Sequence, residues 1–322
     1  MLAICIWAVA TPLLAQTTPR PTTSTVNGDT GLWFTPTADI LPARRWAISA
    51  NRVSVDRDEG FTNISSWPLT FGVGVRDRFE IFGALAAVTR IDRDLRPLFL
   101  PGSRAGGVVN EYPFVRSGWT GSHFGDVWIG TKVDIRPERR SSSAAFGVRA
   151  MVKIPTAPAD AGIGTGRLDA AADAIVSREI DDRIEMTGFA GFILRGDPDG
   201  FDLSNGVRWG FGAALPSRGA LRLTTELTGE VYTRSIVDAP GSPVPAFAQT
   251  AGGDTAPRSS AQVSPLNTLI GLTWIGDRGF FAGVGLNWNL RLKGRSESGP
   301  YKDRPGDALG LELRVGFHSG RP

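Results

Sequence analysis

Residues 145–154, Ala-Phe-Gly-Val-Arg-Ala-Met-Val-Lys-Ile, decide the fold, because every second side chain is apolar and the others include an arginine and a lysine. Residues 280–293, Phe-Phe-Ala-Gly-Val-Gly-Leu-Asn-Trp-Asn-Leu-Arg-Leu-Lys, repeat the pattern. A strand points successive side chains to opposite faces, so each segment has one apolar and one polar face. Segments of roughly 10 residues or more are long enough to cross a bilayer as tilted strands. The pattern predicts a transmembrane β-barrel.

The same alternation predicts an all-β, antiparallel up-and-down barrel of about twelve strands, an even number as bacterial barrels require. The connections after even-numbered strands are short, and those after odd-numbered strands are longer. This asymmetry is typical of short periplasmic turns and long external loops. The strands are predicted at 44–55, 66–76, 78–91, 124–136, 144–155, 166–178, 183–195, 204–215, 219–234, 264–276, 279–293 and 307–317.

Four regions follow from these patterns. Residues 1–15 contain an apolar run that ends in Leu13-Leu14-Ala15, which is typical of a signal peptide, and Cys5 within it is the only cysteine. Residues 16–43 begin with a stretch rich in Thr, Pro and Ser and are predicted to form a flexible periplasmic lead-in. The barrel is expected over 44–317, and 318–322 are expected to be a periplasmic tail.

Composition narrows the partners. The 322-residue chain has no uninterrupted apolar stretch of helical membrane-spanning length. Its net charge of +3, without basic runs interleaved with aromatics, argues against nucleic acid. The expected partners are outer-membrane lipid, the outer-membrane assembly machinery and a small-molecule solute of unknown identity.

Charged residues on the predicted inward face form a candidate lumen lining. They could select solutes in an aqueous pore, or pair with one another across a closed interior. The set comprises Glu80, Arg90, Lys132, Asp134, Arg149, Lys153, Asp169, Asp173, Glu185, Arg195, Arg208, Arg222, Glu226, Glu230, Arg291, Lys293, Glu312 and Arg314.

Tryptophans on the predicted lipid face are typical of an aromatic girdle at the headgroup level. They are Trp46, Trp67, Trp209, Trp274 and Trp288. The last strand ends at Phe317, which resembles the C-terminal aromatic that the assembly machinery recognises, although five further residues follow it.

The connection 92–123 is long and unusually apolar for a loop. It is predicted to fold into the barrel mouth as a constriction or gate, or to pack over the rim. Its gate candidates are Leu95, Leu98, Phe99, Leu100, Phe114 and Trp119. The connection 235–263 is rich in Pro, Ala, Ser, Gly and Thr and is expected to be solvent-exposed.

Three stretches resemble known outer-membrane families. Residues 152–156 (Val-Lys-Ile-Pro-Thr), Gly-Ile-Gly-Thr-Gly at 162–166, Asp169 and the Gly-Asp-Val strand opening at 124–130 resemble the meta-pathway phenol-degradation family of outer-membrane proteins. Residues 31–38 are similar to the opening of other outer-membrane barrels. Ala157 and Ala43 stand where those patterns have glycine. The resemblance covers about 124–180 and implies a barrel that passes hydrophobic or aromatic compounds.

Enzymatic signals are weak. Ser122 precedes His123, but neighbours in a strand point opposite ways, and His318 is predicted at the other end of the barrel. No metal site and no cofactor are expected. The sequence therefore predicts an outer-membrane channel or facilitator for small solutes, hydrophobic or aromatic ones included. The alternatives are a closed structural or interaction barrel that acts through its extracellular loops and, more distantly, a lipid-modifying enzyme.

Overall fold

The computed structural model describes residues 21–59, 61–76, 78–93, 108–115, 118–137, 144–234, 236–238, 259–292 and 309–319. Twelve long strands form one antiparallel sheet that closes on itself, because each strand pairs with the next and the last pairs with the first. The predicted barrel is confirmed. The strands are β1 Trp46–Arg57, β2 Thr62–Arg76, β3 Phe79–Arg93, β4 Val127–Arg136, β5 Ala145–Ile154, β6 Asp169–Ile180, β7 Ile184–Arg195, β8 Gly206–Leu215, β9 Leu221–Tyr232, β10 Leu266–Ile275, β11 Phe280–Asn289 and β12 Leu309–His318.

The alternation seen in the sequence separates an outer from an inner surface. In β5, Phe146, Val148 and Val152 are exposed on the outside, while Arg149 and Lys153 are buried inside. An exposed apolar surface of this extent is the face that a barrel presents to lipid. Within the described residues there is no helix both long and apolar enough to cross a membrane.

The two ends of the barrel differ. At the turn end, β2 and β3 are separated by two residues and β6 and β7 by three. At the loop end, β3 and β4 are separated by 94–126. One connection differs from the prediction: the β1–β2 loop spans only 58–61, because β2 begins at Thr62 and pairs with Arg57. The turn end is the predicted periplasmic side, and the loop end is the predicted extracellular side.

A β-bulge in β3 changes which side chains point inward. Trp67 is opposite Val88 and Pro68 is opposite Ala86, so Ala87 is an extra residue on β3. The inward set therefore passes from even numbers, such as Glu80, to odd numbers, such as Ile91. Arg90 lies on the outer surface, and its prediction as a lumen residue was wrong. A strict two-residue period cannot reveal such an insertion.

The segment 21–43 runs inside the barrel, and we call it the inner plug. A short hairpin pairs Thr23–Ser24 with Thr30–Gly31, and both Thr25 and Trp33 are almost completely buried. The structure differs here from the predicted flexible periplasmic lead-in. The reason is that the wall offers carboxylates and arginines to this segment's backbone, which would otherwise bond to water.

The C-terminal strand ends one residue later than predicted. Phe317 lies between Trp46 and Phe280, with ring centroids 5.4 and 4.9 Å away. His318 is the last residue of β12 and is buried, with its ring 6.4 Å from that of Phe281. His318 therefore belongs to the barrel and not to a tail. Recognition of Phe317 by the assembly machinery stays a prediction.

The five tryptophans of the predicted girdle all lie on the outward face of their strands. They form two groups at different heights, as expected of interfacial aromatics. Trp46 and Trp274 lie near the turn end, and Trp67, Trp209 and Trp288 lie nearer the loop end.

Candidate functional site

Glu226 of β9 is the main wall contact of the inner plug. Its carboxylate accepts the backbone N–H of Trp33 at 2.6 Å and those of Phe34 and Thr35 at 2.9 Å, as well as the Thr35 hydroxyl at 2.9 Å. Three successive amide donors around one carboxylate form an anion-binding loop. The buried charge of Glu226 is thereby balanced by hydrogen bonds from the plug.

Asp29 ties the plug to the opposite wall. It lies 3.1 Å from Arg149 Nη1 and 3.7 Å from Lys132 Nζ, with all three side chains buried. Arg149 also donates a hydrogen bond to Asp173 at 2.8 Å, and Lys132 Nζ lies 3.8 Å from the Glu80 carboxylate. Every charge in this cluster faces an opposite one, as buried ions require.

Glu80 adds a third attachment. It accepts the Thr30 N–H at 2.7 Å, the Thr30 hydroxyl at 2.8 Å and the Leu41 N–H at 2.9 Å. Lys132 donates to the Thr30 carbonyl at 2.6 Å. Wall side chains therefore bond the inner plug at two points, Thr30 and Leu41.

Trp33 fills a recess formed by glycines of β10 and β11. A Cβ at Gly271 would lie 2.7 Å from Trp33 Nε1 and 2.8 Å from Cε2, closer than real contacts allow. The Arg314 guanidinium covers the ring at 4.1 Å from its centroid and donates to the Leu32 carbonyl at 2.7 Å. The absence of a side chain at Gly271 therefore makes room for the plug's indole.

Gly271→Val is expected to displace Trp33 and to loosen the inner plug by about 1–3 kcal/mol through overpacking. The measurement is the maleimide reactivity of an Ala38→Cys reporter in protein lacking residues 1–15, because Ala38 is fully buried and no other cysteine would remain. Gly285→Ala is the matched control, since its Cβ would meet nothing nearer than 3.4 Å. Equal reactivity in both backgrounds would contradict the role of the glycine recess.

One described stretch of the long loop, 108–115, crosses the barrel mouth, and we call it the outer lid. Asn110 exchanges two hydrogen bonds with the Ser204 backbone, at 2.9 and 3.1 Å. Glu111 lies 3.3 Å from Arg57 of β1 and 3.4 Å from Arg195 of β7. The lid thus spans from one wall of the barrel to the other.

Apolar packing holds the underside of the outer lid. Val109 and Val115 are buried against Ile64 of β2 and Ile91 of β3, and Ile163 and Ala157 complete the cluster. Phe114 packs edge-to-face on Phe201, with ring centroids 5.3 Å apart. The inward fold of this loop brings its apolar residues out of water.

Glu111→Gln is expected to loosen the outer lid by about 1–3 kcal/mol, because a neutral amide makes weaker bonds to the buried Arg195 and the partly buried Arg57. Burial alone would raise the pKa of Glu111, but Arg57 and Arg195 outweigh it and hold the pKa below the usual 4.5. The bonds of the ionised Glu111 therefore stabilise the outer lid fully above about pH 4.5, and this stabilisation is lost as the pH falls below that value. Hydrogen exchange of 108–115 should accelerate in the variant, and in the wild type below about pH 4.5. A lid that exchanges at the same rate in both proteins would rule out this tie.

Between plug and lid, the wall carries one layer of apolar side chains on β3–β7, with buried charges on either side of it. Phe82, Met151, Ala171 and Ile193 form a buried cluster with Trp128 packed against it. Phe82 and Met151 lie two residues nearer the loop end than Glu80 and Arg149 of the ion cluster. We call this cluster the apolar belt. An inward apolar surface is unusual for a water-filled pore, whose interior is polar.

Most predicted lumen residues lie inside the barrel. Arg208 and Glu230 are partly buried. Arg208 donates a hydrogen bond to Asp173, and Glu230 accepts one from Arg195. Arg90 lies outside, Arg291 is exposed beyond the end of β11, and Lys293 lies outside the described residues. The buried ones are Glu80, Lys132, Asp134, Arg149, Lys153, Asp169, Asp173, Glu185, Arg195, Arg222, Glu226, Glu312 and Arg314.

The gate candidates divide in a similar way. Phe114 is half-buried in the outer lid, whereas Trp119 is 60% exposed on the outer surface beside Arg90. Leu95, Leu98, Phe99 and Leu100 lie outside the described residues, as does most of 235–263. Sequence reasoning missed the plug residues, although the apolar run at 32–34 within a presumed linker was a usable signal.

Ser122 and His123 make separate contacts. The Ser122 hydroxyl accepts a bond from Arg90 Nε at 2.8 Å, and the His123 ring bonds the Thr120 carbonyl at 2.9 Å. Neither residue orients the other for nucleophilic attack. In the ranges that the structure describes, no three potential ligand side chains are grouped around a possible metal position.

The barrel resembles a crystallised outer-membrane channel from Pseudomonas putida F1, with a TM-score of 0.57 and 12% identity over 87% of this chain and 97% of that chain. This chain is an outer-membrane β-barrel. Two other outer-membrane structures align at lower scores. The NanC porin has a TM-score of 0.42 and 7% identity over 86% of this chain and 100% of that chain. The CymD monoaromatic hydrocarbon channel has a TM-score of 0.40 and 8% identity over 88% of this chain and 90% of that chain. No family model and no curated protein matches the outer-membrane barrel described here.

Proposed function

We propose that this outer-membrane barrel is a gated facilitator for small hydrophobic or aromatic solutes. The observation that carries the proposal is the apolar belt, which lies inside the wall between two segments that close the lumen. Once the plug and the lid shift, Phe82, Trp128 and Met151 would offer an uncharged aromatic solute a surface that a sugar or an ion would not favour.

Two features support a channel over a solid barrel. The closures are made by the plug and the lid, which are chain segments inside a wall wide enough to hold them. Their contacts with the wall are hydrogen bonds, ion pairs and apolar packing, all of which can break and re-form. A solute would pass when both segments shift.

The test is uptake of a radiolabelled monoaromatic hydrocarbon at low concentration by intact cells of the source organism with the gene deleted and restored. Uptake should fall on deletion and recover with the wild-type gene. Met151→Lys should fail to restore it, because a charge in the apolar belt repels an apolar solute. Met151→Leu, which conserves volume and polarity, is the matched control and should restore uptake.

Heat-modifiable gel mobility would establish that each variant folds. Uptake that survives gene deletion, or that Met151→Lys restores as well as the wild type does, would reject the facilitator.

The second candidate is a closed structural barrel. It is favoured by the pairing of Asp29 with Arg149 and Lys132, because charges that neutralise one another within a filled lumen need no solute. A barrel of this kind would leave hydrocarbon uptake unchanged in every variant above.

A further inference from the structure

An arginine–tryptophan cluster lies on the outer surface of β1–β3. The guanidinium carbon of Arg52 is 5.8 Å from the centroid of the Trp67 ring, and that of Arg90 is 4.9 Å from it. Arg90 is also 5.9 Å from the Trp119 ring. Two cations beside one outward-facing indole form a positive patch at the edge of the apolar surface, and the next row on the same face carries Asp56, Asn63 and Asp92.

The patch lies at the border of the apolar band. On β2, Val73, Phe71 and Leu69 are exposed and apolar up to Trp67, and Ser65 follows on the same face. An arginine on the lipid face costs about 2–4 kcal/mol at the midplane and little at the headgroups. The two arginines therefore lie at headgroup level, on the predicted extracellular side.

Neither guanidinium forms an ion pair with a carboxylate in the part of the chain that the structure describes. Arg52 donates to the Leu311 carbonyl, and Arg90 donates through Nε to Ser122 at 2.8 Å. Arg90 faces outward only because of the β3 bulge. The bulge thus adds a second positive charge to the patch instead of to the lumen.

A groove of about 550 Å³ on the lipid face begins at this patch. Arg52 and Trp67 form one of its borders, and the small side chains of Ala50 and Ala282 make room between taller neighbours. Most of the other lining residues are apolar, including Leu272, Val284, Leu313 and Val315, and Asn51 and Arg314 also contribute to the lining. The groove runs from headgroup level towards Trp274 near the turn end, as an acyl chain would.

We infer that this surface binds a phosphorylated, multiply acylated glycolipid of the lipid A type from the outer leaflet. Arg52 and Arg90 would hold a headgroup phosphate, for which the planar guanidinium is well suited. The groove would hold one acyl chain, and Trp67 would lie at the glycolipid's interface between sugar and chain. This site is on the outer wall and is independent of any solute inside the barrel.

The test is binding of lipid A to the full mature chain in detergent, measured by native mass spectrometry. Diphosphorylated lipid A should bind the wild type, and the double variant Arg52→Gln/Arg90→Gln should weaken it about tenfold or more. Arg136→Gln removes an exposed arginine at the turn end and is the matched control, with binding unchanged. Ala282→Trp should weaken binding by filling the groove.

Two further probes separate the sources of the phosphate. Lipid A stripped of its phosphates should bind as weakly to the wild type as intact lipid A binds to the double variant. Inorganic phosphate should not displace the lipid. Equal binding of both lipids, displacement by free phosphate, or indifference to Ala282→Trp in protein shown to be folded would each overturn the inference.

Discussion

Deletion of residues 21–43 is expected to convert the barrel from a closed form into one that conducts ions. The inner plug occupies the turn-end half of the lumen, and its removal leaves Glu226, Glu80 and Arg149 facing water in a wide interior. Charges that become solvated cost far less than charges left buried without partners, so the barrel should still fold. The measurement is single-channel conductance in planar bilayers, in which steady ohmic steps should appear.

The outer lid provides the comparison for this result. Deletion of 108–115 alone should leave the plug in place and the conductance low, and deletion of both segments should give the largest steps. Folded protein that remains silent in all three forms would show that the wall closes by itself. Such a finding would favour the structural barrel.

Glu226→Leu is expected to release the inner plug without a deletion. The substitution leaves three backbone amides and the Thr35 hydroxyl without their acceptor. Each unsatisfied buried donor costs about 1–3 kcal/mol, so the docked state should lose about 3 kcal/mol or more. That loss shifts the ratio of docked to undocked plug by about two orders of magnitude.

The measurement is the maleimide reactivity of Ala38→Cys, together with conductance. Glu226→Gln is the matched control, because its amide oxygen keeps one acceptor and should give a partial effect. Glu185 lies on β7, two strands from Glu226, and pairs with Arg222, so Glu185→Leu tests whether any lost carboxylate has the same result. A plug that stays protected in Glu226→Leu would mean that Asp29 and Glu80 suffice to hold it.

The wall of the barrel could be predicted almost completely from the chain. In β5 and β11 every outward-facing side chain is apolar, and this period is a local property of a strand. The sequence-based prediction of the wall was wrong at two places, where the two-residue period of a strand is interrupted or a strand starts earlier than predicted. The extra residue Ala87 reversed the direction of Arg90, and the early start of β2 at Thr62 shortened the first loop.

The interior could not be predicted in the same way. The sequence places Glu226 on an inward face, but not beside Trp33, which is 193 residues away. The polar composition of 16–30 is typical of a linker in water, and that composition also suits a segment that bonds to carboxylates in a lumen. Only the closed barrel brings the wall's acceptors around it.

The sequence by itself determined the fold class, the number of strands, the lipid-facing surface and the outer-membrane location, because all of them depend on a two-residue period and on loop lengths. Tertiary structure decided which charges pair, where the plug and the lid lie and which apolar residues form the belt. Those features depend on contacts between distant strands, and a barrel's closure sets them by joining β12 to β1. The physical reason is that local periodicity fixes the direction of a side chain, whereas its partner is fixed only when the sheet closes.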